Sequence, residues 1–238
     1  GERIDEEVSG LYSKISAPVL TDIELDFDNM LVEELYPALP LPDLFAGTQL
    51  IVTGRYRDSG SPTITRTGEL DGDRQVYRYE VDFPANAGGE VFIPRLWATR
   101  KVGHLLNQIR LYGPDQETID QIVRLSIRYG IVTPYTSYLV TEDVDDALSS
   151  SGQDRIAQEQ YEAQVNMPTA APSGAGAVGK AADQGALAGA EHIAPLVDTV
   201  AEVVKIVGAR TFVLSDGVWM DTTFEPDTCL FYTHAYAD

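Results

Sequence analysis

The sequence predicts an α+β chain that is mainly β. An antiparallel β-sandwich-like unit is covered by a helix pair, and a flexible linker leads to a small C-terminal helix plus β-hairpin. Three observations predict it. Short runs with apolar–polar alternation, punctuated by turn residues, fill 19–83. Two apolar stripes at helical spacing lie between 95 and 129 and meet at Gly113-Pro114. From 166 to 189 Ala, Gly, Pro and Ser dominate, leaving little to bury. The expected divisions are a junction helix over 1–16, the β-sandwich-like unit over 17–142 with its helix pair at 95–129, a flexible linker over 143–192, and a small α+β unit over 193–238 whose end reads as cut short.

Ile4, Val8, Leu11, Tyr12 and Ile15 make the stripe of the first helix, with acids at its front; Ala17-Pro18 ends it. Over Val19 to Phe27, Val19, Ile23, Leu25 and Phe27 alternate with Asp22, Glu24, Asp26 and Asp28, the period of a half-buried strand. Met30 to Tyr36 reads as another strand. Pro37, Pro40 and Pro42 make the following connector extended. Asp43 to Gly47 is a turn, and Gln49 to Tyr56 an apolar strand. Thr63 to Leu70 and Gln75 to Phe83 form a hairpin about Asp71-Gly72-Asp73. Val76, Tyr79 and Val81 break phase, which predicts a bulge or burial on both sides.

The helix pair begins at Pro94, acceptable in a first turn. Ala98, Val102, Leu105, Leu106 and Ile109 share one face. Asp115 is placed to cap the second helix, Glu117 favours its first turn, and Ile119, Ile122, Val123 and Ile127 form its apolar side. Gly130 suits the left-handed position at its end, and Ile131 to Val140 reads as a strand. Within the linker, Arg155 to Val165 fits a short helix. Leu196, Val200, Val203, Val204 and Val207 fit a helix ending at Gly208, although valine weakens it. Thr211 to Leu214 and Val218 to Phe224 then form a hairpin about Asp216-Gly217, and Phe231 to Tyr236 reads as one more strand.

The totals exclude some functions. Asp and Glu number 37 against 17 Lys and Arg, a formal charge of −20, which opposes binding to a phosphate backbone. Cys229 is the only cysteine, so no disulfide forms within the chain, and no run of apolar residues is long enough to span a bilayer.

The motifs point away from catalysis, and no catalytic, cofactor-binding or metal-binding residue is assigned. Gly174-Ala175-Gly176-Ala177-Val178-Gly179-Lys180 has phosphate-loop spacing, but Ala181 stands where a hydroxyl must hold Mg²⁺ and no strand precedes it. His104, His192 and His234 have no second ligand at a recognised spacing, and Cys229 has no histidine beside it. Asp58-Ser59-Gly60-Ser61 has the start of a D-x-S-x-S metal-adhesion motif, but Gly60 and Pro62 occupy the serine positions. Tyr135-Thr136-Ser137-Tyr138 reads as sheet packing rather than a binding surface, and Trp97 and Trp219 read as packed.

Leu96-Trp97-Ala98 and Leu125-Ser126-Ile127-Arg128-Tyr129-Gly130-Ile131-Val132-Thr133-Pro134-Tyr135-Thr136-Ser137 carry a resemblance. The stretch from Leu96 to Asp143 resembles the inter-alpha-trypsin inhibitor heavy-chain family, proteins with an N-terminal VIT domain and a von Willebrand A domain. Leu11 to Asp22, Tyr36-Pro37 and Leu41 to Gly47 are similar to the segment after the A domain in bacterial-type members, and Gly208 to Trp219 to a C-terminal hairpin there.

The resemblance implies that both domains precede Gly1, with residues 1–16 the junction to the A domain. It implies that any divalent cation belongs to that A domain, and that the sheet borrows strands from upstream. Glu225-Pro226-Asp227 is not the family's D-P-H processing motif, so a chondroitin sulfate linkage is not implied. The function expected is non-enzymatic: an extracellular or cell-surface scaffold, periplasmic in the alternative, that partners its own VIT and A domains and an extracellular protein or matrix ligand. The second reading is a glycan- or protein-binding β-sandwich module in its own right. A hydrolase or nucleotide-binding enzyme is the weakest.

Overall fold

In a computed structural model the described residues are 18–85, 90, 92–135, 148–166, 175–192, 202–208 and 210–223. The predicted helix of 1–16, the strand of 231–236, Cys229 and His234 lie outside them. The chain divides into two compact units, Gly1–Glu90 and Val91–Asp238.

The first unit is all β among its described residues. Its strands are β1 (Pro18–Asp26), β2 (Val32–Tyr36), β3 (Leu44–Phe45), β4 (Thr53–Tyr56), β5 (Thr63–Leu70) and β6 (Asp73–Glu80). They form a four-stranded sheet in the order β3-β1-β5-β6 and a two-stranded sheet of β2 and β4, all antiparallel. The β5–β6 hairpin turns through Asp71 and Gly72, at φ 53° and 86°, the pair of positive values that a two-residue turn demands.

Two expectations about register change here. The alternation of β1 does not run through. Asp22 takes φ 47° and the pairing with β5 shifts between Thr21 and Glu24, so Leu20 and Ile23 are both buried while Val19 is exposed. One inserted residue reverses the facing of everything after it. The bulge expected in β6 is absent; its register with β5 is continuous, and its residues are exposed apart from half-buried Gln75. Its apolar residues lose phase because neither of its faces is deeply buried. The core of the unit is small, built on Leu20, Ile23 and Leu41 with Leu25, Leu44, Leu50 and Val52 around them.

The second unit is mixed. Its helices are α1 (Ile93–Tyr112), α2 (Gln116–Tyr129), α3 (Ser150–Asn166) and α4 (Ala175–Ala188), and β7 (Val204–Val207), β8 (Arg210–Ser215) and β9 (Val218–Asp221) make an antiparallel sheet in that order. The fold is α+β as expected. Its balance lies further toward helix, because the segment expected as a linker holds α4 as well as α3, which is longer than the short helix expected over Arg155 to Val165. Helix α3 is supported by the i,i+4 contacts Arg155–Glu159 and Gln158–Glu162, each 2.7 Å, and buries Ile156 and Ala157. Helix α4 is rich in alanine, the best helix former.

The helix pair belongs to this unit. Helix α1 packs against α4 and α2, and α2 packs against α3 and β8. Gly103 sits where α1 meets the end of α4; a Cβ there would lie 2.7 Å from Ala188 Cα. Arg100 Nε donates to Ala190 O at 2.7 Å across the same junction. Two other expectations are corrected. Val204–Val207 is a strand, not the end of a helix, because a run of β-branched residues fits a pleated surface better. Residues 131–135 form coil and a turn rather than a strand: Pro134 has no N–H to give, and Thr133 Oγ1 accepts from Tyr135 N at 3.2 Å.

Candidate functional site

A set of long-range hydrogen bonds surrounds the C-terminus of α2. Asp115 starts this helix: its carboxylate accepts from Thr118 N at 2.9 Å and from Thr118 Oγ1 at 2.8 Å. Those bonds hold the Asp115 carboxyl below the usual carboxylate range. Gly130 ends the helix in the left-handed conformation, φ 61° and ψ 40°, and Ile131 N donates back to Ser126 O at 2.9 Å. The remaining carbonyls are reached by distant side chains. Arg95 of α1 donates through Nε to Tyr129 O at 3.1 Å and through a terminal nitrogen to Gly130 O at 3.3 Å. Thr222, after β9, places its hydroxyl 3.0 Å from Arg128 O and 3.1 Å from Thr211 O. A guanidinium is well placed at the negative end of a helix dipole.

This cluster is packed, not open. Ile127, Ile131, Thr133 and Tyr135 are buried, and burial pushes the Tyr135 hydroxyl up and the Arg95 guanidinium down. Trp97 meets Tyr129 edge to face at 6.4 Å. A Cβ on Gly130 would lie 3.1 Å from Thr211 Cγ2 and 3.2 Å from Val204 Cγ1. The stretch 125–135 that carries the resemblance is therefore the joint between α2 and the C-terminal sheet; the carbonyls of Arg128, Tyr129 and Gly130 are bonded across it, while the buried Ser126 hydroxyl makes no hydrogen bond among the described residues. The rest of that resemblance, Thr136 and Ser137, lies outside the described residues.

An open aromatic surface lies in the first unit. Arg66 of β5 lies beneath two tyrosines of β6, 4.3 Å from the Tyr77 ring and 5.9 Å from the Tyr79 ring. Both tyrosines are exposed, Tyr79 at 46%. Tyr56 meets Phe83 edge to face at 4.8 Å and donates to Pro84 O. The surface was not legible in sequence, because it depends on residues 66 and 77 standing opposite one another. Trp97 is buried as expected; Trp219 is instead 40% exposed, beside Lys205.

The other candidates do not assemble. An acid-lined hollow of about 480 Å³ lies among Asp115, Glu117, Asp120 and Asp154, but Arg124 bridges Asp120 at 2.9 Å and Asp154 at 2.6 Å. Among the described residues no three His, Cys, Asp or Glu side chains group as metal ligands. The glycine–lysine segment is helical from Ala175 onward, forming the first turn of α4 rather than the loop that a phosphate cradle needs. His104 is half-buried on α1, where burial pushes its pKa down, and His192 is exposed. At the failed adhesion motif, Gly60 pairs with Phe83 and Ser61 donates to Asp82 at 2.5 Å, which makes it a strand-edge turn.

Three curated relatives place the chain. It is 26% identical over 169 residues to inter-alpha-trypsin inhibitor heavy chain H3 of Rattus norvegicus, covering 66% of this chain and 19% of the relative. It is 28% identical over 156 residues to heavy chain H4 of Homo sapiens, covering 60% and 17%. Against heavy chain H1 of Mesocricetus auratus it is 24% identical over 153 residues, covering 59% and 17%. The chain is related to the inter-alpha-trypsin inhibitor heavy chains. It spans under a fifth of the length of these heavy chains. No protein-family model and no solved structure matches it. Among the described residues of this heavy-chain relative, no helix is long and apolar enough to cross a membrane.

Proposed function

We propose that this chain is a non-enzymatic scaffold and interaction region of a secreted or surface heavy-chain-like protein, following a VIT and a von Willebrand A domain and supporting adhesion or matrix binding. The observation that carries the reading is the similarity to heavy chains across about three-fifths of the chain. The packing supports it: Asp115, Arg95, Arg124 and Thr222, polar groups that chemistry would draw on, are held in caps and ion pairs. A divalent cation enters this reading only through the A domain. The test has two steps. The reading frame upstream of Gly1 should encode an A domain with an intact D-x-S-x-S motif. The full protein should then bind immobilised matrix proteins in the presence of Mg²⁺, with binding weakened when residues 91–238 are deleted. A frame without that domain, or binding indifferent to the deletion, overturns it.

The Arg66–Tyr77–Tyr79 surface favours the second reading, a protein- or glycan-binding module in its own right. Exposed aromatic faces suit sugar rings and peptide side chains alike. Glycan-array binding by the chain alone, lost in Tyr79→Ala, would favour this reading over the first; no binding to any glycan would exclude its glycan form.

A further inference from the structure

The outer edge of β6 carries a pattern that complements itself. Strand β6 is the last of its sheet, and no strand among the described residues pairs with its far side. Phe83 N donates to Gly60 O and Val81 N to Pro62 O, so odd-numbered residues face β5. With the register continuous, the main-chain groups of Arg74, Val76, Arg78 and Glu80 point outward. Val76, Tyr77, Tyr79 and Val81 are all exposed, between 36% and 46%. Neither Arg74 nor Glu80 makes an ion pair among the described residues.

We propose that a second copy of this chain pairs with this edge, β6 against β6, antiparallel about a twofold axis at Tyr77. An unpaired edge of this length is a template for another strand. Only registers that set even residues against even residues satisfy the outward groups. Centring on Val76 sets Arg74 against Arg78, and centring on Arg78 sets that arginine against itself. Centring on Tyr77 sets Arg74 against Glu80 and Val76 against Arg78, each twice by symmetry. Tyr77 then meets its own copy on the other face, where Gln75 meets Tyr79. Centring on Tyr79 also joins opposite charges, Arg78 against Glu80, but it overlaps only 78–80 of β6, so among registers that use most of the strand the charge pattern selects the one at Tyr77.

One added strand pair buries less than the roughly 800 Å² per partner of a standard interface, so the dimer forms at high concentration or where copies are crowded. Sedimentation velocity of the full chain from roughly 10 µM to 1 mM tests it. The expected result is a monomer–dimer equilibrium within that range. Arg74→Glu and Glu80→Arg should each weaken dimerisation about tenfold or more, since each sets like charges in register. An equimolar mixture of the two variants should recover it, because both contacts between positions 74 and 80 then join opposite charges. Val76→Pro removes an outward N–H without breaking a β5–β6 bond and should abolish pairing. A wild-type chain monomeric throughout, a dimer indifferent to the single variants, or a mixture that fails to recover would each overturn the proposal.

Discussion

Gly130 shows how much rests on single residues in this protein. Its φ of 61° costs little without a Cβ, and the space above it is closed by Thr211 and Val204. Gly130→Ala should destabilise the chain by about 1–2 kcal/mol, read as a lower urea midpoint. At the other end of α2, Asp115→Ala should cost about 1 kcal/mol by freeing the Thr118 amide. The pH dependence has a definite sign. The folded pKa of Asp115 is depressed, so its contribution is present above the unfolded value and lost as pH falls through the folded one. Asp221 behaves alike: burial raises its pKa, but bonds from Thr223 and the ion pair with Arg210 outweigh that. Stability should therefore fall below about pH 4, and Asp115→Asn should flatten that limb while keeping the cap. Thermal melts between pH 2.5 and 7, as approximate limits, measure it. Asp115 and Gly130 were legible in sequence because caps are local. Arg95 and Thr222 were not, since each reaches a carbonyl far along the chain.

At the scale of elements, helix α3 extends the short helix expected over 155–165, and α4 lies where composition suggested only a linker. Their sequences hold few large apolar residues, Ile156 being the buried one in α3, yet in α4 small residues bring backbones close, and dispersion at short range replaces bulk. Gly103 is the test: its position against Ala188 leaves no room for a side chain. Gly103→Val should separate α4 from α1, lower the unfolding midpoint by about 1–3 kcal/mol equivalent, and increase protease cleavage between 175 and 192. Removal of a buried donor gives a second check. Arg95→Met keeps the aliphatic stem but leaves the Tyr129 and Gly130 carbonyls without it, at a cost of about 1–3 kcal/mol. Most strands of 18–80 were legible because period-2 patterning is local, and both two-residue hairpins stand where Asp-Gly marks them; β3 was not, since Leu44–Phe45 lies in the stretch expected as a turn, and β4 covers only Thr53–Tyr56 of the strand expected from Gln49. The phase of β1 was not, because a bulge at Asp22 leaves no mark in the alternation itself.

For the whole molecule the formal charge of −20 governs association with other polymers. The chain should pass a heparin column unretained at neutral pH and low salt; retention would show that the arginines of β4, β5 and β6 act as a separate basic patch. Length, charge, the α+β class and the heavy-chain relationship were determined by sequence alone, since composition, periodicity and motif are properties of neighbouring residues. Tertiary structure alone decided that the helix pair packs with α3, α4 and β8, that the stretch 125–135 is a joint, and that β6 presents a free edge among the described residues. Each of these depends on residues far apart in the chain meeting in space. Pairing register, burial and the destination of a carbonyl are set by those meetings, and no local pattern encodes them.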